Sequence, residues 1–361
     1  MDAVQFSPAF GPLAPFSVLS PAGELAEGAA VMSDEAALDA LSYMLLARAF
    51  DEKATSLQRQ GRFGTFSSVR GQEASVVGAA SALDPQRDWI VPQYRELPGL
   101  LRHGLPLETF ALYFMGHPAG CMIPQTVNIL PIQISLAAQL PHAVGLAWGL
   151  RKQGLDGVVT VFFGDGASSE GDFHESLNLA GLTKAPVIFF LQNNGWAIST
   201  PRRQQSAART FAERAAGYGM EGVYVDGNDL FAVNTVVTEA VGRARRGAGP
   251  TLVESLTWRL AAHNTADDPT RYVGSTDQEP WAGTDPIARV ERYLTGRGTW
   301  VPDVKAATMA WCAAEVDRAL KAAQNTPPPG PETLFDHVYA DPPARLLEQR
   351  KQWAAAAENG G

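Results

Sequence analysis

The chain has 361 residues and a net charge of −9, with 45% hydrophobic and 19% charged residues. That supplies a large core, and the acidic balance argues against a non-specific nucleic-acid binder, which needs a basic face. Cys121 and Cys312 lie far apart with no CxxC pair, which argues against a disulfide framework or cysteine zinc site and fits a reducing, cytoplasmic setting. No apolar run approaches the length of a membrane span.

Residues 1–33 are rich in Pro, Gly, Ala and Ser and lack the basic n-region and compact h-region of a signal peptide. They read as an extended arm, with plain disorder as the alternative. A helix follows. Ser33 or Asp34 can cap it, Leu38, Leu41, Leu45 and Phe50 recur at helical spacing, and Gly61 stops it. Trp89 to Val91 is a short strand running into a polar loop. "PLETFALYFMG" is helical, and "QISLAAQLPHAVGLAWGLRKQG" is a small-residue helix suited to close packing on a sheet.

The pattern then alternates. Val158–Phe163, "PVIFFLQNN", "GVYVDGND" and "TLVESLTW" are strand-like. Phe173, Leu177 and Ala180 mark a helix face, and residues 229–246 have helical character. Such alternation predicts an α/β fold, a parallel sheet with helices on both faces. Residues 261–285 are polar and aperiodic, the mark of a functional or disordered loop. Residues 286–356 read as helices joined by the Pro-rich "NTPPPGPETLF". The division expected is an arm (1–33), an α/β domain (34–285) and a helical part (286–361) packed on that domain.

Two polar motifs fall at carboxyl ends of adjacent predicted strands, where open α/β sheets bind ligands. They are Gly164-Asp165-Gly166 and Gln192-Asn193-Asn194-Gly195, one strand–helix–strand unit apart. Neither a GxGxxG fingerprint nor a P-loop is present. A carboxylate, an amide and a backbone carbonyl are hard oxygen ligands that suit Mg²⁺ or Ca²⁺, with phosphates completing the shell. The flanking glycines let a diphosphate approach the backbone, and the following helix start favours its charge. A capping Asp in a tight turn and a buried amide at a strand end are the plainer alternative.

GDG followed at this distance by NN is the thiamine-diphosphate signature. "GDGASSEGDFHESLNLAGLTKAPVIFFLQNNGWAISTP" resembles the alpha subunit of the decarboxylating first component of 2-oxo acid dehydrogenase complexes. The likeness extends over "RQGRFGTFSSVRGQEA", "VPQYRE", "AAQLPHAVG", "VDGNDLFAV", "AAHNTADDPTRY" and "DPIARVERYL". The resemblance implies a thiamine-diphosphate-binding fold and an Mg²⁺ held by Asp165, Asn194 and the Trp196 carbonyl. Tyr94 and Arg95 would reach the diphosphate, and Gly166 and Ala167 would offer backbone contacts. Leu136 would support the bent cofactor, Ile198 would line its aminopyrimidine and Phe66 the acyl pocket. His263 matches the family's active-site histidine.

The resemblance also implies a separate beta subunit that supplies an activating glutamate, in a heterotetramer of two alpha and two beta chains. A lipoyl-bearing acyltransferase core would take the acyl group from a small 2-oxo acid. Branched-chain substrates of the 3-methyl-2-oxobutanoate type are favoured by "HNTADDPTRY". Pyruvate or acetoin is the alternative, and a non-catalytic scaffold a remote one. Ala138 replaces a hydroxyl of the potassium site of some members, and Gln192 stands where some have arginine. Asn264 and Gly274 occupy the places of two regulated serines, so phosphorylation there is expected to be absent. His103, His117 and His337 read as surface or loop residues and His142 as packing. His174 reads as near the site or capping.

Overall fold

A computed structural model describes residues 14–330 and 332–359; residues 1–13 of the expected arm lie outside the described residues. Helix α1 (Asp34–Arg59) starts where Ser33 Oγ accepts the Ala36 N–H at 3.2 Å. Helix α2 (Glu73–Ala80) is buried on every side. It has no amphipathic stripe, so helical periodicity does not reveal it. Strand β1 (Trp89–Val91), helices α3 (Leu97–Arg102) and α4 (Leu107–Phe114) and helix α5 (Gln139–Lys152) follow. Helix α5 begins six residues later than its sequence suggests, because Ala137 adopts a left-handed φ of 61° that no helix can contain.

Strand β2 (Val159–Gly164), helix α6 (Gly171–Thr183) and strand β3 (Val187–Asn193) come next. A hairpin of two-residue strands, β4 (Trp196–Ala197) and β5 (Thr200–Pro201), precedes β6 (Glu221–Asp226), α7 (Leu230–Arg245) and β7 (Thr251–Leu256). Beyond lie a four-residue helix, Ser275–Gln278, and helices Pro286–Gly296, Pro302–Asn325, Thr333–Asp336 and Ala344–Asn359.

The large sheet has the order β1-β2-β3-β7-β6 and is parallel throughout. Alternation along each strand builds two cores. Phe162, Ile188, Phe190 and Val253 face α1, α2 and α7, while Val161, Phe163, Phe189 and Leu191 face α5 and α6. All eight side chains are fully buried, which is why these strands read as unbroken apolar runs. Truncating such a phenylalanine to alanine costs about 3–5 kcal/mol.

Part of the arm is tied to the edge strand. Phe16 forms a parallel bridge with Val225. The Asp229 carboxylate accepts from Ser17 Oγ at 2.9 Å and from the Val18 and Leu19 N–H groups at 2.7 Å. Buried Arg289 donates to Asp226 at 2.8 Å and to the Leu19 carbonyl. Among the described residues, no helix is long and apolar enough to cross a membrane.

Candidate active site

Four strand ends build one site. Parallel pairing sets Gly164 beside Gln192, so Asp165 and Asn194 emerge from neighbouring strands at the same edge. Tyr94 and Arg95 follow β1, and Arg259 and His263 follow β7. The cavity they enclose has a volume of about 700 Å³ and is lined by Tyr94, Arg95, Leu136, Asp165, Gly166, Ala167, Asn194, Trp196, Ile198 and His263. That is within the range of small-molecule and cofactor sites.

Phe66 alone among the site residues named from the sequence does not line it. Thr65 and Ser67 do, and the Phe66 ring between them turns into an aromatic cluster, edge-on to Phe50 at 5.8 Å and Phe114 at 5.3 Å. Phe114 of that cluster does line the cavity, with Tyr94 and Trp196. The Phe66 backbone still bears on the site. Its N–H donates to Thr265 Oγ1 at 3.1 Å, and its carbonyl accepts the Thr265 N–H at 2.9 Å. Segment 65–71 is thus the bed for the loop carrying His263.

Asp165 is 1% exposed. Burial pushes its carboxyl up to about 6, opposed by the hydrogen bond from Gln205 Nε2 at 2.9 Å. Asn194 is buried, donates from Nδ2 to Gln72 Oε1 at 3.3 Å and accepts the Trp196 N–H on Oδ1 at 3.3 Å. Among the described residues, no three His, Cys, Asp or Glu come together. A cation here would therefore share one carboxylate with amide, carbonyl and phosphate oxygens.

Arg95 is buried, and that burial lowers its pKa. It donates to the Ser68 carbonyl at 2.7 Å and the His263 carbonyl at 2.6 Å, and lies 3.0 Å from His263 Nδ1. Arg259 approaches Nδ1 at 3.3 Å and donates to the Ile198 carbonyl at 3.1 Å and Tyr272 Oη at 2.8 Å. Both guanidinium groups can only donate, so Nδ1 is the acceptor and the neutral ring carries its proton on Nε2. Burial, then Arg95 and Arg259, lower the His263 pKa to about 4. Asp267 accepts the His263 N–H at 2.7 Å and the Tyr272 hydroxyl at 2.5 Å. The loop is therefore pinned and holds short helical turns at 269–271 and 275–281 that its polar sequence hides.

Glycine at position 166 has a local cause: a Cβ there would lie 2.8 Å from the Ala197 Cβ, so only glycine lets the hairpin close over Asp165. That hairpin turns through Ile198 at φ 55°, a strained conformation for a β-branched residue. Other histidines lie apart from the cavity. His103 is buried, not on the surface, because α3 packs on α1 and α2 and sets its Nε2 3.0 Å from the Asp88 carbonyl just before β1. His142 is exposed, bonded to the Ala138 carbonyl at 2.8 Å, and does not pack inside. His117 caps a short turn, His337 is exposed and His174 meets Tyr218 Oη at 2.5 Å.

Gln72 and Gln93 were not apparent as site residues. Both are buried in the cavity wall, and Nε2 of each lacks a protein partner. A buried amide donor without an acceptor costs about 1–3 kcal/mol, and a diphosphate is rich in acceptors. Buried Gln72, Gln93, Asp165 and Asn194 bring polar groups to the cavity wall. At the rim, Ile134, Leu136 and Ile198 are 52%, 40% and 54% exposed. An anionic tail with an apolar ring system fits this donor set.

Fold and site together define a parallel α/β protein with a cavity at the carboxyl edge of its sheet, lined by a buried carboxylate, buried amides and a buried arginine. A family model described as "Dehydrogenase E1 component" matches residues 42–332. The chain is 41% identical over 319 residues to the "Pyruvate dehydrogenase E1 component subunit alpha" of Staphylococcus epidermidis (strain ATCC 35984), covering 88% of this chain and 86% of the relative. The proteins of the same name from Staphylococcus aureus strains Mu50 and MRSA252 are 41% and 40% identical with the same coverage. The chain belongs to the dehydrogenase E1 component family, as the alpha subunit of a 2-oxo acid dehydrogenase, an oxidoreductase. The family depends on thiamine diphosphate, and its alpha subunits pair with a beta subunit and a complex core.

Proposed function

We propose that this chain binds thiamine diphosphate and Mg²⁺ in the cavity, and serves a pyruvate-type dehydrogenase that passes the acyl group to lipoyl on the acyltransferase core. The observation that carries the site is the convergence of Asp165, Asn194, Trp196, Arg95 and His263 on one cavity from four strand ends. The relatives' names support pyruvate over the branched-chain acids that "HNTADDPTRY" favours.

The cofactor supplies an electron sink for decarboxylation. Asp165, Asn194 and the Trp196 carbonyl would hold Mg²⁺, and Arg95 and Tyr94 the terminal phosphate. Gly166 and Ala167 would contribute backbone, and Leu136 and Ile198 an apolar seat for the rings. Neutral His263 presents an Nε2–H as a donor for developing negative charge. Glu96 already accepts from Gln192 and from the Gln93 and Arg95 N–H groups. Because the family's alpha subunits pair with a beta subunit, the activating glutamate is assigned to that partner, in a two-alpha, two-beta assembly.

The test is co-expression with a beta subunit and comparison of kcat/KM for pyruvate and 3-methyl-2-oxobutanoate. Pocket discrimination is about 1–3 kcal/mol per methylene, so a preference for pyruvate of at least about tenfold is expected. The reverse preference would restore the branched-chain reading, and turnover of neither would overturn the proposal.

A further inference from the structure

We infer that Gln72 and Gln205 are positioning residues that orient the two side chains proposed to hold the cation. This rests on the cofactor reading above. Gln205 Nε2 donates to Asp165 Oδ2 at 2.9 Å and to the Thr200 carbonyl at 3.2 Å. The second bond anchors the amide to the hairpin, so Asp165 is held against rotation by the element that also carries Trp196. Gln72 Oε1 accepts from Asn194 Nδ2 at 3.3 Å. The Trp196 N–H, which can only donate, meets Asn194 Oδ1 at 3.3 Å and Gln72 Oε1 engages the nitrogen, so the two contacts together set which Asn194 atom is offered as a ligand. Cations bind only the oxygen, and a flipped Asn194 would present N–H groups to it.

The two glutamines reach the ligands from opposite directions. Gln72 precedes α2 and is completely buried; Gln205 follows β5. Gln72 Nε2 and Gln205 Oε1 are both buried without protein partners, and both residues line the cavity. Each therefore spends one end of its amide on a proposed ligand side chain and leaves the other without a protein partner. Such outer-shell partners fix ligand orientation, and losing one typically costs about tenfold to a hundredfold in metal affinity.

The experiment is a calorimetric Mg²⁺ titration of the assembled alpha–beta protein in the presence of thiamine diphosphate. Gln72→Met and Gln205→Met remove the polar contacts at nearly constant length. Each is expected to weaken Mg²⁺ by about tenfold to a hundredfold, with the cofactor-free melting temperature unchanged. Double variants separate positioning from general loosening. Gln205→Met should cost nothing further on an Asp165→Asn background, nor Gln72→Met on an Asn194→Ala background. Wild-type Mg²⁺ affinity in both single variants would overturn the inference, as would additive losses in the double variants. Failure of the wild-type protein to bind thiamine diphosphate with Mg²⁺ would instead remove the cofactor reading beneath it.

Discussion

Asp165 stands where its own charge is disfavoured, and that has a consequence with a definite sign. Its carboxyl is pushed up to about 6 from an ordinary 3.8. Between those values the folded chain keeps a proton that the unfolded chain has lost. Its contribution to the stability of the ligand-free protein is present below about pH 4 and is lost as pH rises through about 6. Asp165→Asn removes that penalty. At neutral pH the ligand-free variant should be more stable by about 1–3 kcal/mol, with the advantage vanishing near pH 4. Thermal or urea unfolding of both proteins across this range checks it, and a variant less stable than wild type at neutral pH would contradict it. Cation binding should move the opposite way, because the variant has lost the charge that a divalent ion needs. Opposed effects on stability and binding are what a functional residue produces and a structural cap does not. Asp165 was legible as a candidate ligand from its place between two glycines at a strand end. Gln72 was not, because only folding brings it to Asn194.

The elements differ in how much of themselves they announce. Strands β2 and β3 were readable because both faces are buried and their polar ends follow at once. The hairpin of β4 and β5 was not, since its strands have two residues each and its turn runs through the strained Ile198. That Phe66 turns away from the cavity while Thr65 and Ser67 line it was hidden for a related reason: neighbouring side chains leave the backbone in different directions, and sequence resemblance does not resolve which one a ring takes. The loop from Ala261 to Asp285 lies between these cases. Its polarity marked it as functional or disordered, yet its docking on segment 65–71 through Phe66 and Thr265 depends on contacts between distant residues. Anionic ligand at Arg95 and His263 should tighten that docking. Ordering a residue costs about 1–2 kcal/mol, so only part of the loop is expected to become more rigid. Limited proteolysis should show slower cleavage within residues 261–285 when thiamine diphosphate and Mg²⁺ are present. Equal cleavage with and without them would contradict the coupling.

At the scale of the molecule, the sheet was readable but its strand order was not. Placing β7 between β3 and β6 is what brings His263 to Arg95, and periodicity carries no information about that order. The cavity rim bears exposed Ile134, Leu136 and Ile198, apolar groups that a partner chain would cover. The isolated chain should therefore lack substantial decarboxylase activity and gain it on addition of a beta subunit. Turnover by the chain alone at rates near those of the assembly would contradict a divided site. The central claim, that the four strand ends hold a diphosphate through a divalent cation, is tested most directly by calorimetric titration of the assembled protein with thiamine diphosphate. Binding should require Mg²⁺ and be abolished by Asp165→Ala. Equal affinity with Mg²⁺ and with a chelator, or unchanged affinity in the Asp165→Ala protein, would contradict it.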